Sequence, residues 1–555
     1  MFGWQGKALR VDLGKGEVVS EEIKSEIYLN FLGGKGLGIN ILSSEVAPDT
    51  DPLSPENKII IATGPLTGTG ASSASVCAVV TKSALTNTLI SAQAKLYFGA
   101  ELKAAGYDAI IVEGKAEKPV VLFIKNDEAS LLPAEHLIGQ NTDAVETLIK
   151  LSIHDPWEAR EFRILSIGPA GEKHFPIAAL VTDGFLIPNS VGIGAVFGSK
   201  NLKAIAVRGT KDVFLHDGKV FVERVLESAK DFSQNDKLKT FSNLSTYLSF
   251  ETLLKANGIP CCYFTKPYQV NLSLSEIKNL WERERGCFSC PVACLKATQK
   301  GKFLPEIDAL TALGPLCGIH DVSAIFDAYD LCVKTGLDPV ETGATLACLM
   351  KLGEEGVLEK ENLEIEPKFG DKEALLKLLA FIGKGEKGSS TLGKGAYQLS
   401  QHLQKPDLFM GVKGRSICFD VTNLPYLGLQ YATSNTGFTY LSGPTFLDKG
   451  LKREEIPGKV KLVQDKTAAL EAMGICPYVT DGFALDVFLS MFQAATGIEL
   501  EEADLLKIGE AICNLEREFA QKAGVDLGTG TLPEKISPSG FKELIDKYYQ
   551  LRGWK

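Results

Sequence analysis

The densest group of potential metal ligands is a run of three cysteines, Cys287, Cys290 and Cys294, with the spacing C-x2-C-x3-C. Iron–sulfur clusters are held by four thiolates, and this short spacing lets one turn present three of them to a single cluster. A fourth ligand must then come from a distant part of the chain. Structural zinc is the competing interpretation, but zinc sites usually combine two such knuckles or include histidine. Since no second C-x2-C and no H-x3-H motif exists in the sequence, an iron–sulfur cluster is favoured.

The chain has 12 cysteines, so others also need an explanation. The adjacent pair Cys261-Cys262 follows Gly258-Ile259-Pro260, which predicts a loop. Either one thiol is buried and the other exposed, or the pair supplies a ligand to a metal centre. Six further cysteines lie in apolar surroundings and are predicted to be inert packing thiols. They are Cys77, Cys317, Cys332, Cys348, Cys418 and Cys513.

Composition excludes several classes of function. The 555 residues carry a formal net charge of −10, so no bulk attraction to nucleic acid or to an anionic membrane is expected. No apolar run approaches the roughly 20 residues of a membrane span, and the N-terminus has no signal-peptide pattern. We therefore expect a cytoplasmic protein without membrane insertion, in which reduced cysteines are free to bind metal.

The elements that must position these residues change character along the chain. Up to about Gly209, short β-branched segments such as 59–63, 109–113 and 204–207 are separated by glycine-rich turns and predict strands. Beyond Lys211 the apolar residues recur with helical spacing. The fold class is predicted to be α+β, a β-rich two-sheet domain followed by two mainly α-helical domains. The predicted divisions are 1–209, 210–414 and 415–555.

The glycine clusters raise the question of a phosphate site. The segment Gly192-Ile193-Gly194, continuing to Gly198 and Lys200, is expected to precede a strand rather than a helix. It fits neither the dinucleotide nor the P-loop pattern. Its backbone N–H groups could hold another phosphate-bearing cofactor, although a structural turn is the simpler interpretation of each cluster taken alone.

Several stretches together resemble the aldehyde:ferredoxin oxidoreductase family of tungsten or molybdenum pterin enzymes. The resemblance covers the whole chain. The matching stretches are Gly33-Gly34-Lys35-Gly36-Leu37-Gly38, Asp51–Asn57, Thr63–Thr69, Tyr97-Phe98-Gly99, Gly198–Ile205, the C-x2-C-x3-C run, Gly336-Leu337-Asp338 and Tyr548–Trp554.

This resemblance implies a tungsten (or molybdenum) bis-pterin cofactor on the two sheets, covered by the helical domains, with a [4Fe-4S] cluster beside one pterin and Mg²⁺ bridging the pterin phosphates. The family's fourth cluster cysteine ends a D-x-x-G-L-C motif, which matches Glu471–Cys476 here and assigns Cys476 to the cluster. The positions implied for cofactor binding are Gln93, Lys95, Gly192, Gly194, Leu337, Asp338, Glu471 and Ile475.

The chain departs from the family pattern at several of these places. Arginines that contact the pterin phosphates are replaced by Val76, Ser190 and Thr436. Gln93 stands for an asparagine and Lys95 for a glycine, and Lys95 is a candidate to neutralise a phosphate. The aspartates that open the two D-x-x-G-L motifs are Val333 and Glu471.

The active centre departs as well. The family's P-E-Y-E segment is Pro305-Glu306-Ile307-Asp308 here, and a carboxylate beside a metal-bound oxygen can serve as general acid or base. The non-functional alternative is that Glu306 and Asp308 are solvated acids on a loop. A family histidine near the substrate is replaced by Tyr440, which donates a hydrogen bond but does not titrate near neutrality.

The resemblance implies an enzyme that interconverts aldehydes and carboxylic acids, with ferredoxin or an iron–sulfur partner subunit as electron carrier and a homodimer or larger complex as assembly. One alternative is a low-potential acyl-CoA-type reductase, similar to the class II benzoyl-CoA reductase subunit, with Cys261 or Cys262 as a tungsten ligand. Another is a non-catalytic electron-transfer subunit that has lost the pterin.

Overall fold

A computed structural model describes most of the chain. The described residues are 1–267, 272–358, 365–435, 450–479, 483–525 and 532–554.

Two six-stranded sheets occupy the first 208 residues. The first sheet has the order β2-β1-β6-β3-β4-β5, in which β1 and β6 are parallel and the other neighbours antiparallel. Its central strands are almost continuously apolar because both faces are covered. Its strands are β1 (Lys7–Asp12), β2 (Glu17–Glu22), β3 (Ile59–Thr63), β4 (Cys77–Lys82), β5 (Leu89–Ala94) and β6 (Ala109–Glu113).

The second sheet has the order β11-β10-β9-β12-β7-β8, with β7 and β12 parallel. Its apolar face packs on the first sheet in one shared hydrophobic cluster. Its strands are β7 (Val120–Lys125), β8 (Glu128–Pro133), β9 (Arg163–Ser166), β10 (Val181–Thr182), β11 (Phe185–Leu186) and β12 (Leu202–Arg208).

Helices cover these sheets and are the main elements in the rest of the described chain. This arrangement confirms the predicted fold class. Within the sheet region they are α1 (Ser25–Phe31), α2 (Gly34–Glu45), α3 (Phe98–Ala104), α4 (Thr142–Leu151), α5 (Pro156–Glu161), α6 (Pro169–Glu172) and α7 (Ile193–Ser199). Beyond it are α8 (Gly218–Gln234), α9 (Asp236–Leu244), α10 (Phe250–Lys255), α11 (Leu274–Asn279), α12 (Ile307–Leu313), α13 (Val322–Thr335) and α14 (Pro339–Glu354). They continue with α15 (Lys372–Lys384), α16 (Ala396–His402), α17 (Pro425–Thr433), α18 (Ile456–Met473), α19 (Leu485–Thr496), α20 (Glu502–Lys522) and α21 (Phe541–Arg552).

In the described residues beyond the two sheets, three two-stranded hairpins lie between helices. They are β13 (Pro260–Cys261) with β14 (Lys266–Pro267), β15 (Arg283–Arg285) with β16 (Leu295–Ala297), and β17 (Gly411–Val412) with β18 (Arg415–Ser416). Each hairpin delivers residues to the sites described below.

Two glycine clusters form helices rather than loops, which corrects the sequence interpretation. The first begins α2, where Gly34 lies against the Glu471 carbonyl so closely that a Cβ would collide with it. The second forms α7, so the segment from Gly192 is itself helical before it enters β12. Small residues are needed in both because helix and neighbouring backbone are in direct contact.

The hydrophobic clusters cross the domain divisions predicted from sequence. One runs from Ala170 to Tyr548, and another joins Trp4 of the sheet region to Phe519 of α20. The divisions at 209 and 414 therefore stay predictions. In the described ranges, no single helix is both long and apolar enough to span a membrane. The segment Ile307–Cys317 and α13 pass that test only as a pair, and the chain bends by 118° between them.

Candidate metal centre and active site

Three of the predicted cluster cysteines lie in the connection between β15 and β16. The Cys290 N–H donates to the Cys287 carbonyl at 3.1 Å, which closes the first turn. Left-handed backbone at Ser289 (φ 50°) and Ala293 (φ 45°) turns the chain twice more. The antiparallel hairpin thus forces Cys287, Cys290 and Cys294 into one compact loop.

Cys476 joins this loop from the end of α18. Its N–H donates to the Ser73 carbonyl at 3.0 Å, while the Ser73 N–H donates to the Ser289 carbonyl at 3.2 Å. The Ser73 hydroxyl also lies 3.3 Å from the Cys290 sulfur. One loop of the sheet domain therefore holds Cys476 beside the other three cysteines, which are 182 or more residues earlier in the chain.

The electrostatics of three of these thiols, those of Cys287, Cys294 and Cys476, are consistent with a site for a positive centre. Burial, assisted by neighbouring cysteines, raises the pKa of Cys287 to about 11 and that of Cys476 to about 12. Burial also raises the pKa of Cys294 well above its usual value, and here too the other three cysteines contribute. Thiolates crowded in an apolar site require compensation, and a bound metal cluster supplies it.

The described residues form no site for a single zinc ion. A zinc ion would draw its sulfur ligands to about 2.3 Å from one point. Across the described ranges, no three histidine, cysteine or acidic side chains converge closely enough to hold a single metal ion. A polynuclear cluster binds its thiolates at separate irons and does not require them around one point.

Lys95 lies beside these thiols and is 3% exposed. Its ammonium is 3.2 Å from Oε1 of Glu306 and 3.9 Å from the ring centre of Tyr478. The Tyr478 hydroxyl donates to the other oxygen of Glu306 at 2.9 Å. Burial opposes the charge on Lys95, but Glu306 and the cysteines outweigh it and raise the pKa of Lys95. Lys296, two residues after Cys294, is a second buried lysine near the loop, and its ammonium contacts Glu284 at 2.7 Å.

Glu306 and Asp308 line one cavity at the beginning of α12. Other walls come from Tyr329 of α13 and from Asp338 and Pro339 at the beginning of α14. The convergence of two helix N-termini is favourable for negative charge. The two acids are thus partly buried at the beginning of a helix and line a cavity, so they are not solvated loop acids.

Arg415 also lines this cavity and was missed by sequence reasoning. It is buried in β18 and its guanidinium donates to the Asn189 side-chain oxygen. Burial lowers its pKa, against the opposing effect of Asp338 and Glu341. No motif marks Arg415, because its partners come from positions separated by up to 226 residues.

The adjacent cysteines lie elsewhere. Both are 7% exposed, so the expectation of one exposed thiol is wrong. The sulfurs are 3.5 Å apart, and a hydrogen bond from Cys261 lowers the pKa of Cys262 to about 7. The Cys262 N–H donates to the Pro315 carbonyl at 3.1 Å, just beyond the C-terminal end of α12. Five α-helical steps and two 3₁₀ steps lead from Asp308 to Pro315, an axial rise of roughly 11 Å. The pair therefore lies at the opposite end of α12 from the two acids, and the role of Cys261 or Cys262 as a tungsten ligand stays a prediction.

Two family models together match almost the whole chain. The N-terminal domain of aldehyde ferredoxin oxidoreductase matches residues 8–209, and domains 2 and 3 of that enzyme match residues 223–555. The chain belongs to the aldehyde ferredoxin oxidoreductase family. The family prediction made from sequence is thereby confirmed.

Individual relatives agree with this assignment. The tungsten-containing aldehyde ferredoxin oxidoreductase of Pyrococcus furiosus is 36% identical, with 100% of this chain and 97% of the relative covered. The aliphatic sulfonate oxidoreductase, WOR-like subunit, of the same organism is 28% identical, with 98% of this chain and 90% of the relative covered. Among solved structures, the active-site complex BamBC of benzoyl-coenzyme A reductase with 1,5-dienoyl-CoA has a TM-score of 0.86 at 23% identity. The structural alignment covers 100% of this chain and 95% of the BamBC chain, which shows that the two share a fold.

Two of the positions that aldehyde ferredoxin oxidoreductase motifs assign to the pterin site have polar groups suited to a ligand. The Gln93 side chain is buried in β5, and among the described residues neither its amide nitrogen nor its amide oxygen has a hydrogen-bond partner. Burying an amide without partners costs free energy, so a group that binds both atoms fits this position. Asp338 caps α14 through the Glu341 N–H at 2.8 Å and also lines the cavity.

Other assigned positions are already engaged within the protein. The N–H groups of Gly192 and Gly194 both donate to the Ala178 carbonyl, at 2.8 and 3.2 Å. Glu471 forms an ion pair with Lys35 at 3.3 Å. Ser190 donates to the Ile187 carbonyl at 2.7 Å. A phosphate cradle made by the Gly192 and Gly194 amides is therefore not supported.

The remaining assigned positions are structural or lie elsewhere. The N–H groups of Leu337 and Ile475 donate to the Cys332 and Leu470 carbonyls, each at 2.9 Å. Val76 packs in an apolar group with Cys476 and Tyr478, whereas Val333 is partly buried on α13. Two predicted positions, Thr436 and Tyr440, lie outside the described residues.

Proposed function

We propose that this chain is a tungsten–pterin oxidoreductase that interconverts aldehydes and carboxylic acids, with a [4Fe-4S] cluster that passes electrons to ferredoxin or an iron–sulfur partner subunit. The observation that carries the proposal is the connection of two sites. Four grouped cysteines and a cavity with two carboxylates meet at Lys95, whose ammonium contacts Glu306. This contact supports a proposal in which redox chemistry and proton transfer occur at adjacent sites.

The reaction sets the requirements on the protein. Oxidation of an aldehyde to a carboxylate consumes one water and releases two electrons and three protons. The tungsten–pterin group, when bound, supplies the two-electron redox chemistry. The protein must hold the cofactors, exclude bulk water and accept protons.

Proton acceptance falls to the carboxylates of the cavity. Glu306 is fixed by Lys95 on one oxygen and by the Tyr478 hydroxyl on the other. Asp308 is in the first turn of α12 and faces the same cavity. We assign Asp308 as the general base toward water or substrate and Glu306 as a carboxylate held in fixed orientation beside it.

The positions of the four cysteines, Gln93 and Asp338 support an assignment of the cofactor ligands. Cys287, Cys290, Cys294 and Cys476 hold the cluster. Gln93 and Asp338 would contact the pterin cofactor when it is bound, and the Gln93 amide oxygen would be a suitable ligand for Mg²⁺, which prefers oxygen donors.

The test is purification without air, followed by metal analysis and an aldehyde-oxidation assay with a viologen dye. We expect about one tungsten and four irons per chain. Asp308→Asn should lower kcat by about 10²–10⁴-fold with both metal contents unchanged. Asp504→Asn, in an exposed pair with Lys507, is the matched control and should keep wild-type kcat.

Other outcomes would select the alternatives. Iron without tungsten or molybdenum would identify an electron-transfer subunit that has lost the pterin. Zinc without iron would overturn the cluster assignment. Full metal content with acyl-CoA reduction and no aldehyde oxidation would identify the reductase.

A further inference from the structure

Lys95 occupies a position between two groups of residues that the fold brings together from distant parts of the chain. On one side it follows β5, and the next residue, Leu96, accepts a hydrogen bond from the Phe288 N–H at 3.1 Å. Leu96 also packs in an apolar group with Cys287 and Cys294. The backbone at Lys95 is therefore attached directly to the cysteine loop.

Tyr478 ties the same lysine to the fourth cysteine. It lies two residues after Cys476, and both pack with Val76 in one apolar cluster. The Lys95 ammonium lies over the Tyr478 ring, 3.9 Å from its centre, a distance typical of a cation–π contact. Val76 brings no charge to this wall, so the Lys95 ammonium supplies positive charge beside the four thiols.

The other side of Lys95 faces the active site. Its ammonium is 3.2 Å from Glu306, and the Tyr478 hydroxyl binds the second oxygen of that carboxylate at 2.9 Å. Lys95 is 3% exposed, and the pair is therefore shielded only weakly by solvent. Because the ammonium already contacts Glu306 and Tyr478, the interpretation of Lys95 as a pterin-phosphate ligand is not favoured.

We propose that Lys95 is a positioning residue that couples the iron–sulfur cluster to the Glu306 carboxylate at the active-site cavity. Its charge stabilises the reduced cluster, which carries one more negative charge than the oxidised cluster. Its ion pair also fixes the Glu306 carboxylate at the cavity. This inference rests on the proposed function, because it requires a cluster on the four cysteines.

The two members of the pair must then act on the cluster with opposite sign. Removing the cation leaves the Glu306 charge uncompensated and disfavours reduction. Removing the anion leaves the Lys95 charge uncompensated and favours reduction. A unit charge about 10 Å away, at an effective dielectric constant of about 20, changes a reduction equilibrium by roughly tenfold or somewhat more.

The experiment is an anaerobic redox titration of the whole protein, in which the reduced cluster is measured by its electron paramagnetic resonance signal. At one fixed potential, Lys95→Met should lower the ratio of reduced to oxidised cluster about tenfold, equivalent to about 59 mV for one electron. Glu306→Gln should raise this ratio. Lys95→Arg, which keeps the charge, should stay close to the wild-type ratio.

Lys507→Met is the control. Lys507 forms an exposed ion pair with Asp504 on α20, and solvent screens exposed charges, so the variant should keep the wild-type ratio. An unchanged ratio in Lys95→Met, or shifts of the same sign in Lys95→Met and Glu306→Gln, would overturn the proposal. If Lys95→Met does not accumulate, the sign of the Glu306→Gln shift decides alone.

The failure of the proposed function would look different. A wild-type protein without iron would contradict the cluster assignment before any variant is compared, and would overturn the inference with it. A protein with four irons but no tungsten would contradict the pterin enzyme, yet the titration would still decide the role of Lys95, since its signal comes from iron.

Discussion

Replacing Cys261 and Cys262 together by serine is expected to leave the tungsten content unchanged. The pair lies beyond the C-terminal end of α12, whereas Glu306 and Asp308 lie at its N-terminal end. Five α-helical steps and two 3₁₀ steps separate Asp308 from Pro315 by roughly 11 Å along the chain axis. A sulfur ligand must approach its metal to within about 2–3 Å, on the scale of zinc–thiolate bonds. A tungsten atom held beside the two acids would therefore be out of reach of both sulfurs.

The substitution does have an expected cost in stability. Both side chains are buried, and each new hydroxyl loses the packing of a thiol and requires a hydrogen bond. A buried polar group without a partner costs about 1–3 kcal/mol, and the two hydroxyls can partly satisfy each other because the sulfurs are 3.5 Å apart. We expect the free energy of unfolding to fall by about 2–4 kcal/mol.

The assay is tungsten and iron per chain by mass spectrometry after purification without air, with chemical denaturation of the same samples. Cys290→Ser is the control for a ligand change and should reduce iron. Loss of more than half of the tungsten in the double-serine variant, with iron retained, would refute the geometric reasoning. That result would place the pair at the metal and support the acyl-CoA-type reductase.

Three further predictions concern the cluster and the stability of the sheet domain. Cys476→Ser should lower the iron content below four per chain, because one thiolate ligand is lost; full iron content would exclude Cys476 from the cluster. Asp108→Asn should lower the free energy of unfolding in urea by about 3–5 kcal/mol, because it leaves the buried Lys103 ammonium unpaired, whereas Asp504→Asn in an exposed pair should cost less than about 1 kcal/mol. Burial lowers the pKa of Lys200 to about 8. Between pH 8 and about 10.4 the unfolded chain therefore binds more protons at this residue, and stability attributable to it rises with pH. Lys200→Met should lack this rise, and parallel stability curves for variant and wild type would contradict the assignment.

Features that depend on short spacing along the chain were predictable from the sequence. The C-x2-C-x3-C run predicts a loop with three sulfurs, and the structure places these cysteines in one hairpin connection. Continuous apolar runs such as Ile59–Thr63 are strands buried on both faces. Glu306 and Asp308 are two residues apart, so a single helix start carries both acids to the cavity. In these cases neighbours in the chain are also neighbours in space.

Contacts between charged side chains that are distant in the chain could be identified only from the folded structure. Lys95 and Glu306 are separated by 211 residues, and Arg415 and Asn189 by 226. No local pattern encodes such a contact, because it depends on how sheets and helices pack. The same holds for Cys261-Cys262, since no local pattern indicates that the pair lies beyond the C-terminal end of α12. The types of the candidate ligand residues can be read from the sequence. The charges and the burial that shift their pKa values depend on how distant parts of the chain pack together.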